Sequence, residues 1–208
     1  MRIDLHIHTS PLSACSYIDP HELVREARRL NLDGICLTEH QVVWDLDKVD
    51  KLAGNEGLKI FRGNEFTTNQ GDILVFGFYK DIKELLMIQE LREEVKAAGG
   101  FMIAAHPFRG FKTFGIGRLN MTVEQAGKRR MFEFVDAIEV HNGKLSADEN
   151  DLARKVAAKL GLPGTAGSDA HRLDELGTAV TIFENDITDE IQLVEALHAG
   201  RFRTEDRR

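Results

Sequence analysis

The chain has 208 residues, 42% of them hydrophobic and 29% charged, the balance of one soluble globular domain with a sizeable core rather than a disordered or fibrous chain. Acidic residues outnumber basic ones by 34 to 27, and the formal charge of -7 offers no broad attraction to nucleic acid or anionic membranes. Two cysteines exclude a disulfide scaffold and suit a reducing cytoplasm, while no apolar run reaches the ~18 residues a membrane span needs.

Met1 leads straight into a strand-like run at 2–5, without the charged start and apolar stretch of a secretion signal, so a cytoplasmic setting is expected. A helix follows: Asp19 can cap it, Pro20 suits its first position, and Leu23, Val24, Ala27 and Leu30 share one face. Strand-like runs come next at 34–37, 59–62 and 73–78. A helix is predicted over about 83–98, aligning Leu85, Ile88, Leu91 and Val95 and ending at Gly99 and Gly100. After a run at 101–105, Thr122 with Gln125 forms a capping box. After a run at 137–140, Ser146 with Glu149 forms another, opening a helix that carries Leu152, Val156 and Leu160 and stops at Gly161. Runs at 164–166 and 179–183 precede a last helix starting near Thr188, with Ile191, Val194 and Leu197 aligned before Gly200. Residues 204–208 are polar and read as a solvated tail behind a single domain over 1–203.

Repeated strand-then-helix units imply parallel pairing, since parallel neighbours need a crossover. Seven or eight units at this length suit a closed barrel as well as an open sheet. No GxGxxG or phosphate loop follows any strand, so doubly wound nucleotide binding is not indicated.

The chemistry-bearing residues cluster by position. His6 and His8 end the first strand, His40 the second, and Glu65 follows the third; His106, His141, Asp169 and His171 follow later runs. Six of eight histidines thus sit beyond the carboxyl ends of predicted parallel strands, which share one face in either architecture. Within His6/His8 and Asp169/His171 the separation of two lets both side chains reach one cavity from an extended strand. Mixed imidazole and carboxylate donors suit Zn²⁺, Mn²⁺ or Fe²⁺, and about eight of them exceed the needs of one tetrahedral ion. His21 and His198, in the first and last turns of helices, are expected on the surface.

HxH at the first strand, TEH at the second, a lone Glu after the third, AHP, a later His and DxH resemble the PHP (polymerase and histidinol phosphatase) domain from His6 to His171. The resemblance implies an α/β fold, a distorted (βα)7 TIM-like barrel, that holds two or three divalent metal ions and hydrolyses phosphoesters. It implies a first ion on His6, His8, Glu65 and Asp169, a second bridged by Glu65 and held by His106 and His141, and a third on His40 and His171. Family members often add a His or acid to the third site from the loop after HxH. Here that loop has neither, and Cys15 is either a thiolate ligand or a small thiol without a role.

A hydroxide generated on the ions is the expected nucleophile, with Glu65, Asp169 and His171 at the reacting centre. Two carboxylates against up to three divalent ions leave a cationic pocket, which suits a small phosphorylated substrate. The segment 107–118 carries Arg109, Lys112 and Arg118, candidates to grip the phosphate, or else it is an ordinary exposed loop. Arg172 is a weaker candidate. The expected function is hydrolysis of a small phosphomonoester such as a nucleotide or a histidinol-phosphate-like compound. The alternatives are a nuclease acting on nucleic-acid ends, a non-catalytic metal-binding module and, more distantly, an amidohydrolase.

Overall fold

The computed structural model describes residues 1–54, 57–110 and 121–208. Strand β1 (Arg2–Ile7) is followed by α1 (Pro20–Arg29), β2 (Gly34–His40), α2 (Leu46–Ala53), β3 (Lys59–Thr68), β4 (Gly71–Phe76), α3 (Ile88–Ala97) and β5 (Phe101–Ala104). The single turn α4 (Val123–Ala126) precedes β6 (Ala137–Asn142), α5 (Ala147–Leu160), β7 (Gly164–Gly167), β8 (Ala179–Phe183), α6 (Glu190–Ala199) and β9 (Phe202–Asp206). The capping chemistry is as read from sequence: Asp19 accepts from the His21 and Glu22 amides, and both capping boxes are closed.

Among the described residues nine strands form one sheet in the order β7-β6-β5-β4-β3-β2-β1-β8-β9. β1, β2 and β3 pair in parallel, as do β5, β6 and β7, whereas β4 and β8 run against their neighbours. The sheet curls until its β7 end meets β1 and β8. The His8 amide donates to the Ala170 carbonyl at 3.0 Å, and the Thr181 hydroxyl both accepts from and donates to the backbone of Ala166 at 2.9 Å. The result is the nearly closed, distorted barrel that the resemblance implies.

Four local features differ from the expectation of uniform strand-then-helix units. β3 and β4 form an antiparallel hairpin, because the two residues between them are too few for a parallel crossover. α3 starts only at Ile88: Leu86 bridges Thr68, and the Asn69 side chain accepts the Ile88 amide at 3.0 Å. α2, capped by Asp45, is an additional helix. The segment expected as a solvated tail is instead largely strand β9, paired antiparallel with β8 from Phe202 to Asp206.

Period-two alternation stations the polar residues over the core. An apolar cluster drawn from β1 to β6, β8 and α6 fills the interior, with Cys36 and Phe61 contributed by β2 and β3. His40 and Glu65 lie four residues further along those strands, on the same face and in direct register. α3 and α5 cover one outer side of the sheet, and α1 and α2 cover another.

The seam depends on two close fits. The buried Asp4 carboxylate accepts from the backbone amides of His6 (3.3 Å), Ser168 (2.8 Å) and Gly177 (3.0 Å), tying β1 to the segments around β7 and β8. At Gly167 a Cβ would lie 2.4 Å from the His6 Cβ and 2.8 Å from the His6 nitrogen, so only glycine lets β7 approach β1. Gly167→Ala should therefore cost about 1–3 kcal/mol in urea unfolding; unchanged stability would show that the seam yields easily.

Candidate metal centre

The chain leaving β7 runs back across the end of β1, the Asp169 amide donating to the His6 carbonyl at 2.7 Å. That crossing brings residues from the two ends of the chain, His6 and Asp169, into one buried cluster. His6, His8, Glu65 and Asp169 are all at most 1% exposed, and His106 is 5% exposed. Three overlapping donor groups result, each with its ligand atoms within 4.8 Å of one another: His6, His8 and Asp169; His6, Glu65 and His106; and His8, His40 and His171. Glu65 links them. Its Oε1 lies 2.8 Å from His106 Nε2, and its Oε2 lies 3.1 Å from both His8 Nε2 and His40 Nδ1.

This donor set fits divalent ions on an observation of its own. Among the described residues, Glu65 Oε2 and Asp169 Oδ1 are buried and receive no hydrogen bond. Buried carboxylate oxygens without donors are costly, and a cation among the convergent ring nitrogens is the species that relieves them. Two of the donors also stand on uncommon backbone, His106 at φ 29° and Asp169 at φ 57°. Side chains rarely adopt that region, and such strain concentrates at functional sites.

The electrostatics are mutual. Burial alone lowers the His6 pKa, but the Glu139 and Glu65 carboxylates outweigh it and hold it at about 10. Burial alone raises the Glu65 pKa, and the facing His6, His106 and His40 rings reverse this, holding it well below the ordinary carboxylate range. His171 goes the other way: burial first, then repulsion from His8 and Lys144, lowers it to about 3. It is neutral near pH 7. Its Nδ1 donates to the Asp169 carbonyl at 2.9 Å, so in the neutral ring Nε2 keeps the lone pair that an ion could use.

Two expected ligands fall outside the cluster. His141 belongs to none of the three groups; its ring sits half-buried among Asp206, Arg154 and Arg208, and burial lowers its pKa. The reason is a register shift in β6 between Glu139 and His141, which resets the alternation. Glu139 and Asn142 then face the site in its place. Glu139 lies 2.9 Å from His6 Nδ1 and accepts from the His106 amide at 2.7 Å, and the Asn142 amide reaches both Glu139 and Asp169. Cys15 is exposed and likewise joins no group. The sequence reading missed Glu139, although an acid inside the otherwise apolar run at 137–140 was a usable signal.

Of the three expected phosphate-gripping bases, Arg109 reaches the cluster and pairs with Asp169 Oδ2, with 42% of its side chain exposed. Lys112 and Arg118 lie outside the described residues. Arg172 pairs with Asp174 on the surface. His21 and His198 are exposed and apart from the cluster, as expected.

Because His6 carries a proton that an ion must displace, titrating the metal-free protein with Zn²⁺ or Mn²⁺ near pH 7 should release about one proton for each ion bound on His6. Calorimetry in buffers of different ionisation enthalpy reads this directly, and no release would contradict the His6 assignment. His141→Ala should keep its bound metal in elemental analysis while Glu65→Ala loses it; the reverse would restore His141 as a ligand.

Comparison with known proteins gives the family and the fold. A family model described as the PHP domain matches residues 4–134, and one described as PHP-associated matches residues 147–202. An uncharacterized protein of Methanocaldococcus jannaschii is 26% identical over 117 residues, covering 52% of this chain and 68% of its own length. PsfC from Pseudomonas syringae shares the fold with a TM-score of 0.71 at 21% identity, over 99% of this chain and 91% of its own. A two-domain protein of Bacteroides vulgatus containing a predicted PHP-like metal-dependent phosphoesterase gives a TM-score of 0.72 at 22% identity, over 99% of this chain and 64% of its own. With the first family match alone spanning more than half of its residues, the chain belongs to the PHP domain family.

Proposed function

We propose that the protein is a metal-dependent phosphoesterase that hydrolyses a small phosphomonoester, of the nucleotide or histidinol-phosphate kind. The observation that carries the reading is the pair of buried, donorless oxygens, Glu65 Oε2 and Asp169 Oδ1, among converging ring nitrogens. Two or three divalent ions (Zn²⁺, Mn²⁺ or Fe²⁺) would be held by His6, His8, Glu65 and Asp169, by Glu65 with His106, and by His40 with His171. When bound they supply Lewis acidity toward phosphoryl oxygens and a lowered pKa for coordinated water.

The chain's own residues prepare that chemistry. Glu65 lies among all three donor groups and joins them through its two oxygens. Asp169 holds the Arg109 guanidinium at the edge of the cluster, where its planar fork can clasp a phosphate bound there. The neutral His171 and the partly exposed His40 form the more open side of the site, through which a small substrate can enter. The acidic exterior steers anions to the pocket rather than to the surface, which favours a small substrate over a long polynucleotide.

The test is a panel of phosphomonoesters, phosphodiesters, short oligonucleotides and carboxyl esters, run on metal-free protein reloaded singly with Mn²⁺, Zn²⁺ or Fe²⁺. Release of inorganic phosphate from monoesters is the expected result. Oligonucleotide cleavage without it would favour the nuclease, and carboxyl-ester turnover alone would favour an amidohydrolase. His8→Ala and Glu65→Ala should abolish turnover, whereas His21→Ala should not change it. Arg109→Ala should lower kcat/KM roughly 10- to 100-fold with metal content intact, the worth of one charge-assisted contact.

A further inference from the structure

The loop between β1 and α1 is held by a buried carboxylate that belongs to none of the donor groups. Glu39 is fully buried, and its Oε1 accepts from the Trp44 indole at 2.9 Å, from the Thr9 amide at 3.0 Å and from the Thr9 hydroxyl. Its Oε2 accepts from the Thr9 amide at 3.0 Å and from the Ser13 hydroxyl at 2.5 Å. Ser13 Oγ also lies 3.3 Å from His8 Nδ1 and accepts from the His40 amide at 3.3 Å.

A hydroxyl has one proton and two lone pairs, and a carboxylate only accepts. Ser13 spends its proton on Glu39, so toward His8 it can offer only a lone pair. The contact therefore requires the proton of the His8 ring to be on Nδ1. That leaves the Nε2 lone pair directed at the cluster, where Glu65 Oε2 lies 3.1 Å away and Asp169 Oδ1 3.5 Å away. His6 is oriented in the same sense by direct contact of its Nδ1 with Glu139. The two histidines of HxH thus use two devices for one end, a carboxylate for His6 and a hydroxyl relay for His8.

We infer that Glu39 and Ser13 are positioning residues that set the tautomer and ring orientation of His8 and so raise the affinity of the site for divalent ions. The inference rests on the metal-centre reading, yet its readout does not need turnover. The same relay reaches the His40 amide, so one buried carboxylate steadies donors from two strands.

Two measurements decide it. Long-range ¹H–¹⁵N spectra of the histidine rings, taken on metal-free and Zn²⁺-loaded protein, should show the His8 proton on Nδ1 in both. Chelator competition should show Ser13→Ala binding Zn²⁺ roughly 10- to 100-fold more weakly, as removing such ligand supports generally does. Ser13→Thr, which keeps the hydroxyl, should restore the affinity. A bare Nδ1 on His8 in the folded protein, or unchanged Zn²⁺ affinity in Ser13→Ala, would overturn the inference. If Ser13→Ala does not fold, the wild-type ring spectrum decides alone. Absent phosphate release with an intact Nδ1 proton and the expected affinity loss would count against the phosphoesterase reading and leave this one standing.

Discussion

The structure depends on keeping imidazoles and carboxylates together out of water. His6, His8, Glu65 and Asp169 are essentially inaccessible, and burial by itself disfavours the charged forms of His6 and Glu65. Each makes the other tolerable: the acids keep a proton on His6, and the rings keep Glu65 ionised. The compensation is incomplete, since one oxygen on each of Glu65 and Asp169 still lacks a donor. A divalent cation would complete what the protons leave unfinished, and for this reason the cluster is a candidate metal centre.

Holding such a cluster demands a stiff frame. Asp4 accepts from three backbone amides, two of them across the seam, Gly167 permits β7 to approach β1, and Glu139 joins His6 to the backbone of His106. Against this frame the left-handed backbone at His106 and Asp169 is sustained, at a cost of order 1–3 kcal/mol each. The apolar interior beneath, from Cys36 and Phe61 to Leu193 of α6, gives the strands a common floor. Stability and ligand geometry are thus consequences of the same contacts.

The strands and most helix starts were legible because they rest on local chemistry: alternation, caps and terminal glycines. What escaped was governed by neighbours. The start of α3 was set by an asparagine nearly twenty residues upstream, and the last residues became a strand because β8 had an open edge to pair with. Likewise Glu39 looked like part of a motif, and its role appeared only when Thr9, Ser13 and Trp44 were seen to converge on it.

By itself the sequence determined which residue types stand at strand ends, and so that His6, His8, His40, Glu65, His106, Asp169 and His171 would share a face. Separations of two and placement at the ends of apolar runs suffice for that, since strand geometry is periodic. Only the tertiary structure turns Glu139, rather than His141, toward His6. A single irregularity in the pairing of β6 with β7 turns an entire alternation over, and pairing is a property of two strands, not one. It also brought Arg109 to the cluster on Asp169, because that contact spans 60 residues and arises only when the barrel curls shut.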